Sequence, residues 1–457
     1  MSDPSERYED ALDQLLAFRP AVIPATRNLL AEAPDFPMAW ILAGYLGLSS
    51  TDAADVRHAR AALDVLAGLE LAPWEAAHRS VIATWAGGDW HGAAALLDDL
   101  LIRWPGDLLG LMMGHQLDFF LGDAQNLRDR VGRSLHAVDP ADPRHGFVRG
   151  MYAFGLEESG HYGLARDHGL AALDRNPGDV WALHAVVHTH EMEGTVDEGL
   201  RLMRARAGDW AGESLFSVHN WWHFALYLLE AGLVDDVLGV YDAQIHNASS
   251  DRVPLEMLDA SALLWRLLLD GADTGGRFGP LADAWALRFG AGAEPWYVFN
   301  DLHAVLAFAG ARRLADARAV VDRLERYVAS APSRTSNVVM TSEVGLPACR
   351  AVVAFAEERY DDVVDTLMPI RRTLQRFGGS HAQRDVLQRT LLDAAVRSGR
   401  ADLAEALVSE RLAVRGTSVY ALGRWAELLR ARGDTAAAAW ADADAATHRS
   451  RFAAAAV

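Results

Sequence analysis

Apolar residues recur along most of this chain at i, i+3, i+4 and i+7, the spacing that places them on one face of an α-helix. The stretches come in pairs separated by small-residue turns, as in IATWAGGDWHGAAALLDDLL and VRGMYAFGLEESGHYGLARDHGLAAL. Two amphipathic helices joined by a glycine turn form a helical hairpin. Alternating Val/Ile/Thr runs, which would indicate β-strands, are nearly absent. The pattern therefore predicts an all-α protein.

The hairpins repeat along the chain. Prolines recur every 32 to 39 residues in the first part of the sequence, and three of their contexts are alike: EAPDFPMAW, RWPGDLLGL and RNPGDVWAL. A period near 34 residues with two helices per period resembles the tetratricopeptide repeat (TPR). Stacked hairpins of this kind form a right-handed α-solenoid. We therefore expect a TPR-like superhelix.

We expect residues 1–457 to form one superhelical domain rather than the two or three domains that the length alone would suggest. Repeats are predicted at about 5–245 and 296–450, with an irregular joint at 246–295. The predicted hairpin turns lie at Gly88, Gly122, Gly160, Gly194, Gly232, Gly310, Gly399 and Gly433.

Composition and termini indicate an ordinary soluble chain. Of 457 residues, 51% are hydrophobic and 23% charged, with a mean hydropathy of +0.01. The N-terminus is acidic where a signal peptide would be basic and then apolar. The apolar stretch Leu108–Leu121 carries His115 and Asp118 and is too short to span a bilayer. With a single cysteine, Cys349, these features favour a cytoplasmic protein that does not bind membranes.

The charged residues exclude several kinds of chemistry. All 43 basic residues are arginine, so Schiff-base catalysis, pyridoxal phosphate (PLP) binding and a P-loop nucleotide site are excluded, because each needs a lysine. The net charge of -19 disfavours nucleic-acid binding. Histidine and the carboxylates remain the main titratable groups near neutral pH.

Histidines concentrate in two first helices of adjacent predicted hairpins. WALHAVVHTHEMEG contains His184, His188 and Glu191, and SVHNWWHFALYLLEAG contains His219 and His223. Each histidine pair is spaced i,i+4 and projects from one helix face.

Their positions relative to the turn glycines predict that these side chains line the concave surface, as the matching positions do in TPR proteins. By the same count Trp222, Asn300 and Asp301 face inward, whereas His303 falls where a small residue usually sits against the second helix. Trp222, Asn300 and His303 are candidate substrate-binding residues.

Two chemistries suit this constellation. His184, His188, His219 and His223 could ligate a transition metal such as zinc or iron. The same imidazoles could instead serve a metal-free acid–base site, with Glu191 and Asp301 orienting them or acting as base. The zinc-protease string is not present, because HEMEG has Gly194 where a second histidine would be needed.

Three motifs resemble the tetratricopeptide repeat protein 38 family. They are His184-x-x-x-His188-x-x-Glu191-x-x-Gly194, the HNWWH string at 219–223 and FNDLH at 299–303. The resemblance extends over most of the chain, to about residue 430. It implies a divergent helical-repeat fold and histidine motifs that matter together, and it names no activity.

Three functions fit these observations. The first is a small-molecule binding protein or enzyme whose pocket is the concave His/Trp/Asp cluster. The second is a scaffold that binds a peptide in the concave groove, although an acidic chain without lysine does not suit the usual clamp for acidic tails. The third is a buried polar network that fixes the packing of adjacent repeats. The sequence favours the first and predicts no oligomeric state.

Overall fold

The computed structural model describes residues 3–288, 294–332 and 335–456. Within these ranges the chain is all-α and contains no strand. The helices are α1 (Pro4–Leu16), α2 (Val22–Glu32), α3 (Pro37–Ser49), α4 (Val56–Leu66), α5 (Pro73–Ala86), α6 (Trp90–Arg103), α7 (Leu108–Leu121), α8 (Ala124–Ser134), α9 (His145–Glu158), α10 (Tyr162–Arg175), α11 (Val180–Glu193), α12 (Val196–Ala205), α13 (Ala207–Trp210), α14 (Ser217–Glu230), α15 (Val234–Val240), α16 (Pro254–Leu269), α17 (Phe278–Arg288), α18 (Val298–Gly310), α19 (Leu314–Ser330), α20 (Ser336–Met340), α21 (Leu346–Ala356), α22 (Tyr360–Ile370), α23 (His381–Arg397), α24 (Ala401–Val414), α25 (Val419–Ala431) and α26 (Thr435–Ala455).

Consecutive helices pack as antiparallel hairpins, which stack into an α-solenoid of TPR-like repeats. Seven of the eight predicted turn glycines have a positive φ at the turn between two paired helices. Gly310 differs, because it is the last residue of α18 and the positive φ belongs to Arg312. A Cβ at position 310 would overlap the Phe278 ring, so this glycine permits close packing of α17 on α18 rather than a turn.

The segment 246–295, predicted to be an irregular joint, contains the hairpin of α16 and α17. Helix α16 is buried on nearly all sides, so its sequence PLEMLDASALLWRLLL lacks the polar face that marks an ordinary surface helix. Pro254 at its first turn supplies a backbone already suited to helix initiation. Residues 289–293 of this segment lie outside the described residues.

The C-terminal repeats pack across the inner face of the N-terminal repeats. Helix α23 contacts α11 and α16, and α26 contacts α12 and α14. The backbone N–H of His381 donates to Glu158 Oε1 at 2.8 Å, and Thr417 Oγ1 donates to the carbonyl of Gly194 at 2.6 Å. Around α11 and α16, the surface predicted to be a concave groove is therefore an interior packed against the end of the same chain.

One helix among the described residues, Ser336–Ala356, has the length and hydropathy of a membrane span. It comprises α20, a five-residue π-helical segment and α21. Since 72% of its apolar window is buried inside the fold, its packing against neighbouring helices accounts for its apolar composition.

Candidate functional site: a four-histidine cluster

The four paired histidines come from two neighbouring first helices. His184 and His188 lie on α11, and His219 and His223 lie on α14. Asp179 begins α11 by accepting the backbone N–H groups of Trp181 and Ala182, and Gly194 ends it with a left-handed conformation. These ends fix the register in which the i,i+4 pair of α11 faces α14.

The Nε2 atoms of these histidines point toward one another. His219 Nε2 lies 3.2 Å from His184 Nε2 and 3.2 Å from His223 Nε2. The His188 ring completes the group, with its centroid 4.3 Å from that of His184 and 4.5 Å from that of His223. One nitrogen from each of the four rings lies within 4.8 Å of the other three, so the cluster could hold a metal ion.

Three of the four rings each present their other nitrogen to a carboxyl group. Two of these carboxyl groups are fully buried, and one, that of Glu191, is partly exposed. His219 Nδ1 lies 2.7 Å from Asp259 Oδ2, and His223 Nδ1 lies 3.1 Å from Glu191 Oε2. His188 Nδ1 faces Glu157 Oε2 at 3.3 Å. A carboxylate that accepts a hydrogen bond from Nδ1–H leaves the Nε2 lone pair free, which is the arrangement that orients metal-ligating histidines.

Burial favours the neutral form of three of these imidazoles, those of His184, His188 and His223. It lowers the pKa of His184 and of His223 well below the ordinary value, and the neighbouring histidines add to the effect. Burial likewise lowers the pKa of His188 to about 4. His219 and His223 face each other through Nε2 at 3.2 Å, while Nδ1 of each lies beside a carboxyl group. When both Nδ1 atoms carry the proton, the two Nε2 lone pairs repel each other unless a proton or a metal cation lies between them.

A second group that could hold a metal shares one histidine with the first. Glu157, Glu158 and His188 place one ligand atom each within 4.8 Å of one another. Burial and the adjacent Glu158 raise the pKa of Glu157 well above its usual range, and neither Glu157 oxygen has a hydrogen-bond partner. Burial would raise the pKa of Glu158 too, but His381 and Arg384 outweigh it and lower that pKa. Glu157 is thus a carboxyl group that a nearby positive charge would stabilise in its ionised form.

Aromatic rings enclose the cluster and exclude water from it. Trp222, predicted to be a substrate-binding residue, is fully buried and stacks on His219 with ring centroids 5.3 Å apart. Phe154 contacts His184 and His188 from α9, and Phe216 contacts His184 and His219. In such a low-dielectric enclosure, interactions between a bound cation and its ligands are strengthened.

The structure does not bring every predicted residue to this cluster. The Asp301 side chain binds Arg323, and Asn300 donates to the carbonyl and hydroxyl oxygens of Thr51 at 3.1 Å. Both line a small surface cavity with Trp285 and Arg288. His303 is buried in α18, where its Nδ1 donates to the carbonyl of Phe299 at 2.7 Å.

Sequence reasoning missed two of the carboxyl groups that contact the histidines. Asp259 lies on α16, and Glu157 lies at the end of α9. A signal was available for Glu157, since it precedes Gly160 by three residues, as Glu191 precedes Gly194. Asp259 stands twelve residues before Gly271, the turn glycine after α16, so the same count would not have found it.

No protein-family model matches the chain. Several solved structures of helical-repeat proteins are distantly similar. One is a human IFIT1 dimer with PPP-AAAA, at 12% identity over 98% of this chain and 95% of that one, with a TM-score of 0.36. Another is the TPR domain of P58(IPK), at 12% identity over 84% and 96% of the two chains, with a TM-score of 0.22. At 12% identity and TM-scores below 0.5, these similarities carry no information about function.

Proposed function

We propose that this protein binds a transition metal, zinc or iron, through His184, His188, His219 and His223, as the centre of a small-molecule binding or catalytic site. The observation that carries the proposal is the opposed orientation of the two ring nitrogens. The Nε2 atoms of His219, His184 and His223 converge, while Nδ1 of His219, His223 and His188 faces carboxyl groups.

The distances support this proposal. Zinc–nitrogen bonds of about 2.0–2.1 Å put the nitrogens of a tetrahedral site about 3.3–3.4 Å apart. The two 3.2 Å separations at His219 are close to that value, and all four ligand nitrogens lie within 4.8 Å of one another. Neutral imidazole also suits iron, copper and nickel. Four protein ligands close a tetrahedral zinc site, whereas iron with five or six ligands would keep a position open for substrate.

Elemental analysis of the purified protein tests the proposal. We expect about one equivalent of metal per chain, and its loss in the double variant His188→Ala/His223→Ala, since two ligands are removed. His190→Ala is the matched control. His190 lies on the same helix and is nearly buried, but its Nδ1 pairs with Thr195 Oγ1 at 2.7 Å, away from the cluster.

Chelation of the wild-type protein keeps the test decisive should the double variant not fold. Removing the metal is expected to lower the melting temperature, and adding it back is expected to restore it. Wild-type protein that contains no metal and gains no stability from added zinc or iron would refute the proposal. In that case the third reading, a polar network that stabilises the repeats, would apply.

The helical-repeat architecture favours a second candidate function, a scaffold that binds a polypeptide. Because the inner face around α11 and α16 is packed, such a partner would use an outer surface. A groove of about 560 Å³ between α19, α21 and α22, lined by Arg318, Glu325 and Arg350 among others, offers one. A metal-free protein whose polypeptide binding is lost on Arg350→Glu would favour the scaffold.

We also propose that the chain is a cytoplasmic member of the tetratricopeptide repeat protein 38 family. Its three motifs, at 184–194, 219–223 and 299–303, and its helical hairpins support the assignment.

A further inference from the structure

An inner cavity beside the histidine cluster is lined by arginines, in a chain whose net charge is -19. Its volume is about 40 Å³, room for about three water molecules or one small polar group. Arg266, Arg389, Arg411 and Arg415 contribute to its wall, together with three carboxylates, Glu191, Glu230 and Asp385.

Arg266 is a buried cation without a direct ion pair. It is 1% exposed, and its guanidinium donates to two backbone carbonyl oxygens, Ala262 at 3.1 Å and Ala382 at 2.6 Å. No carboxylate among the described residues lies within 4 Å of it. Burial lowers the pKa of Arg266 to about 10, which expresses the cost of an incompletely compensated charge.

Other donors of the same cavity also lack partners. The Nε atoms of Arg389 and Arg411 are buried and make no hydrogen bond. The Arg415 side chain makes no ion pair within 4 Å in the described chain, and its guanidinium donates to Met192 Sδ at 3.6 Å. Asp385 is already engaged by Arg411 at 2.7 and 3.2 Å, so it offers Arg266 and Arg415 only longer-range attraction.

The inner cavity adjoins a larger cavity. A second cavity, of about 410 Å³, shares Asp385, Arg411, Arg415 and Ser418 with it and also contains Arg371 and Arg372. This volume lies in the range of small-molecule pockets. At the inner end, Glu191 both lines the small cavity and contacts His223 Nδ1, so a molecule bound there lies next to the histidine cluster.

We infer that these two cavities bind a small molecule through an oxyanion, a carboxylate or phosphate group, which Arg266 and Arg415 hold in the inner cavity while the rest of the molecule fills the outer one. Guanidinium groups recognise such oxyanions with paired, charge-assisted hydrogen bonds. The inference extends the proposed function by naming the substrate class of the site beside the metal.

Calorimetric titration of the full-length protein with inorganic phosphate and, separately, with succinate tests this inference at low ionic strength. Binding of at least one probe is expected, weakened about tenfold by Arg415→Gln because one charged hydrogen bond is lost. Arg266→Met should abolish it. The matched control is Arg133→Gln, which removes a half-exposed arginine that lines neither cavity and should leave the affinity within about twofold.

The result that would overturn the inference is the absence of binding by both probes, or binding that Arg415→Gln leaves unchanged. If Arg266→Met does not fold, the half-buried Arg415 still decides the question. Metal content measured on the same samples separates the two proposals. Arginine-dependent binding by metal-free protein would refute the metal site alone, and metal without anion binding would refute this inference alone.

Discussion

The contact between Asp259 and His219 provides a sharp test of the metal site. Asp259 Oδ2 accepts from His219 Nδ1 at 2.7 Å, the shortest of the three carboxyl–imidazole contacts in the cluster. The substitution Asp259→Asn keeps the size of the side chain but removes its charge. The amide can also donate to Nδ1, which would move the proton to Nε2 and block the metal-binding nitrogen.

The expected loss of affinity follows from this geometry. Adding the width of the imidazole and a metal–nitrogen bond to the 2.7 Å contact places the Asp259 carboxylate about 6.5 Å from a bound ion. For a divalent ion, that attraction is about 1.3 kcal/mol at the dielectric constant of water and about 5 kcal/mol at an effective value of 20. The asparagine side chain keeps a hydrogen-bond acceptor, and burying the Asp259 charge in the wild type is itself costly. We therefore expect an effect in the lower part of this energy range, which is a loss of about 10- to 100-fold in metal affinity.

The measurement is a titration of metal-free protein with Zn²⁺ in competition with a chromophoric chelator. Asp107→Asn is the matched control. Asp107 Oδ2 pairs with the buried His78 Nε2 at 2.9 Å, and His78 does not belong to the four-histidine cluster. Asparagine can also cap the N-terminus of α7, where the Asp107 side chain accepts a hydrogen bond from the Gly110 N–H. Equal affinity of Asp259→Asn and wild type, or an equal loss in Asp107→Asn, would refute the reasoning.

Two further predictions concern stability, and urea unfolding measures both. Gly122→Ala should destabilise the protein more than Gly160→Ala. Both substitutions cost about 1–2 kcal/mol of folding free energy, because both glycines have a positive φ. A Cβ at position 122 also overlaps the Gln375 carbonyl, whereas a Cβ at position 160 has nothing within 4 Å. Equal losses would contradict the packing of α7 on the C-terminal repeats. Burial raises the pKa of Asp179 to about 7, so its stabilising contribution is complete below about pH 4 and is lost as pH rises toward 7. Asp179→Asn should therefore gain up to about 4 kcal/mol relative to wild type over that interval, and a pH-independent difference would contradict the assignment.

The convergence of the four histidines could be predicted because it depends on local regularities. The i,i+4 spacing fixes the direction of each pair on its helix, and the turn glycines Gly194 and Gly232 fix the register of each helix within its hairpin. Adjacent hairpins repeat the same geometry, so equivalent positions on α11 and α14 meet. The structure confirms the helical hairpins, and the histidine cluster lies where α11 and α14 contact each other.

Of the two carboxylates predicted to act with the histidines, Glu191 contacts His223, whereas Asp301 was taken from the wrong repeat for an identifiable reason. With α16 interpreted as part of an irregular joint, α18 became the apparent neighbour of α14, and Asp301 became the apparent partner of the histidines. In the structure α16 lies beside α14, so Asp259 contacts His219, whereas Asp301 pairs with Arg323. A helix that is buried on nearly all sides lacks a polar face, so its sequence does not show the amphipathic pattern. The prediction therefore omitted the repeat of α16 and α17, and every later repeat was placed one position too early.

The packing of the C-terminal repeats across the inner face depends on the sum of small rotations between hairpins, which no local pattern records. Its contacts join residues far apart in sequence, such as Glu158 with Arg384 and Arg266 with the carbonyl of Ala382. The same packing brings Arg389 and Arg411 to the cavity beside Glu191. The histidine cluster comes from the N-terminal repeats, and most of the cavity arginines come from the C-terminal repeats. A site that uses both therefore exists only when the C-terminal repeats pack on the inner face of the N-terminal ones. A substitution that loosens this packing, such as Gly122→Ala, should therefore weaken anion binding more than metal binding, because α11 and α14 belong to neighbouring repeats and carry all four histidines.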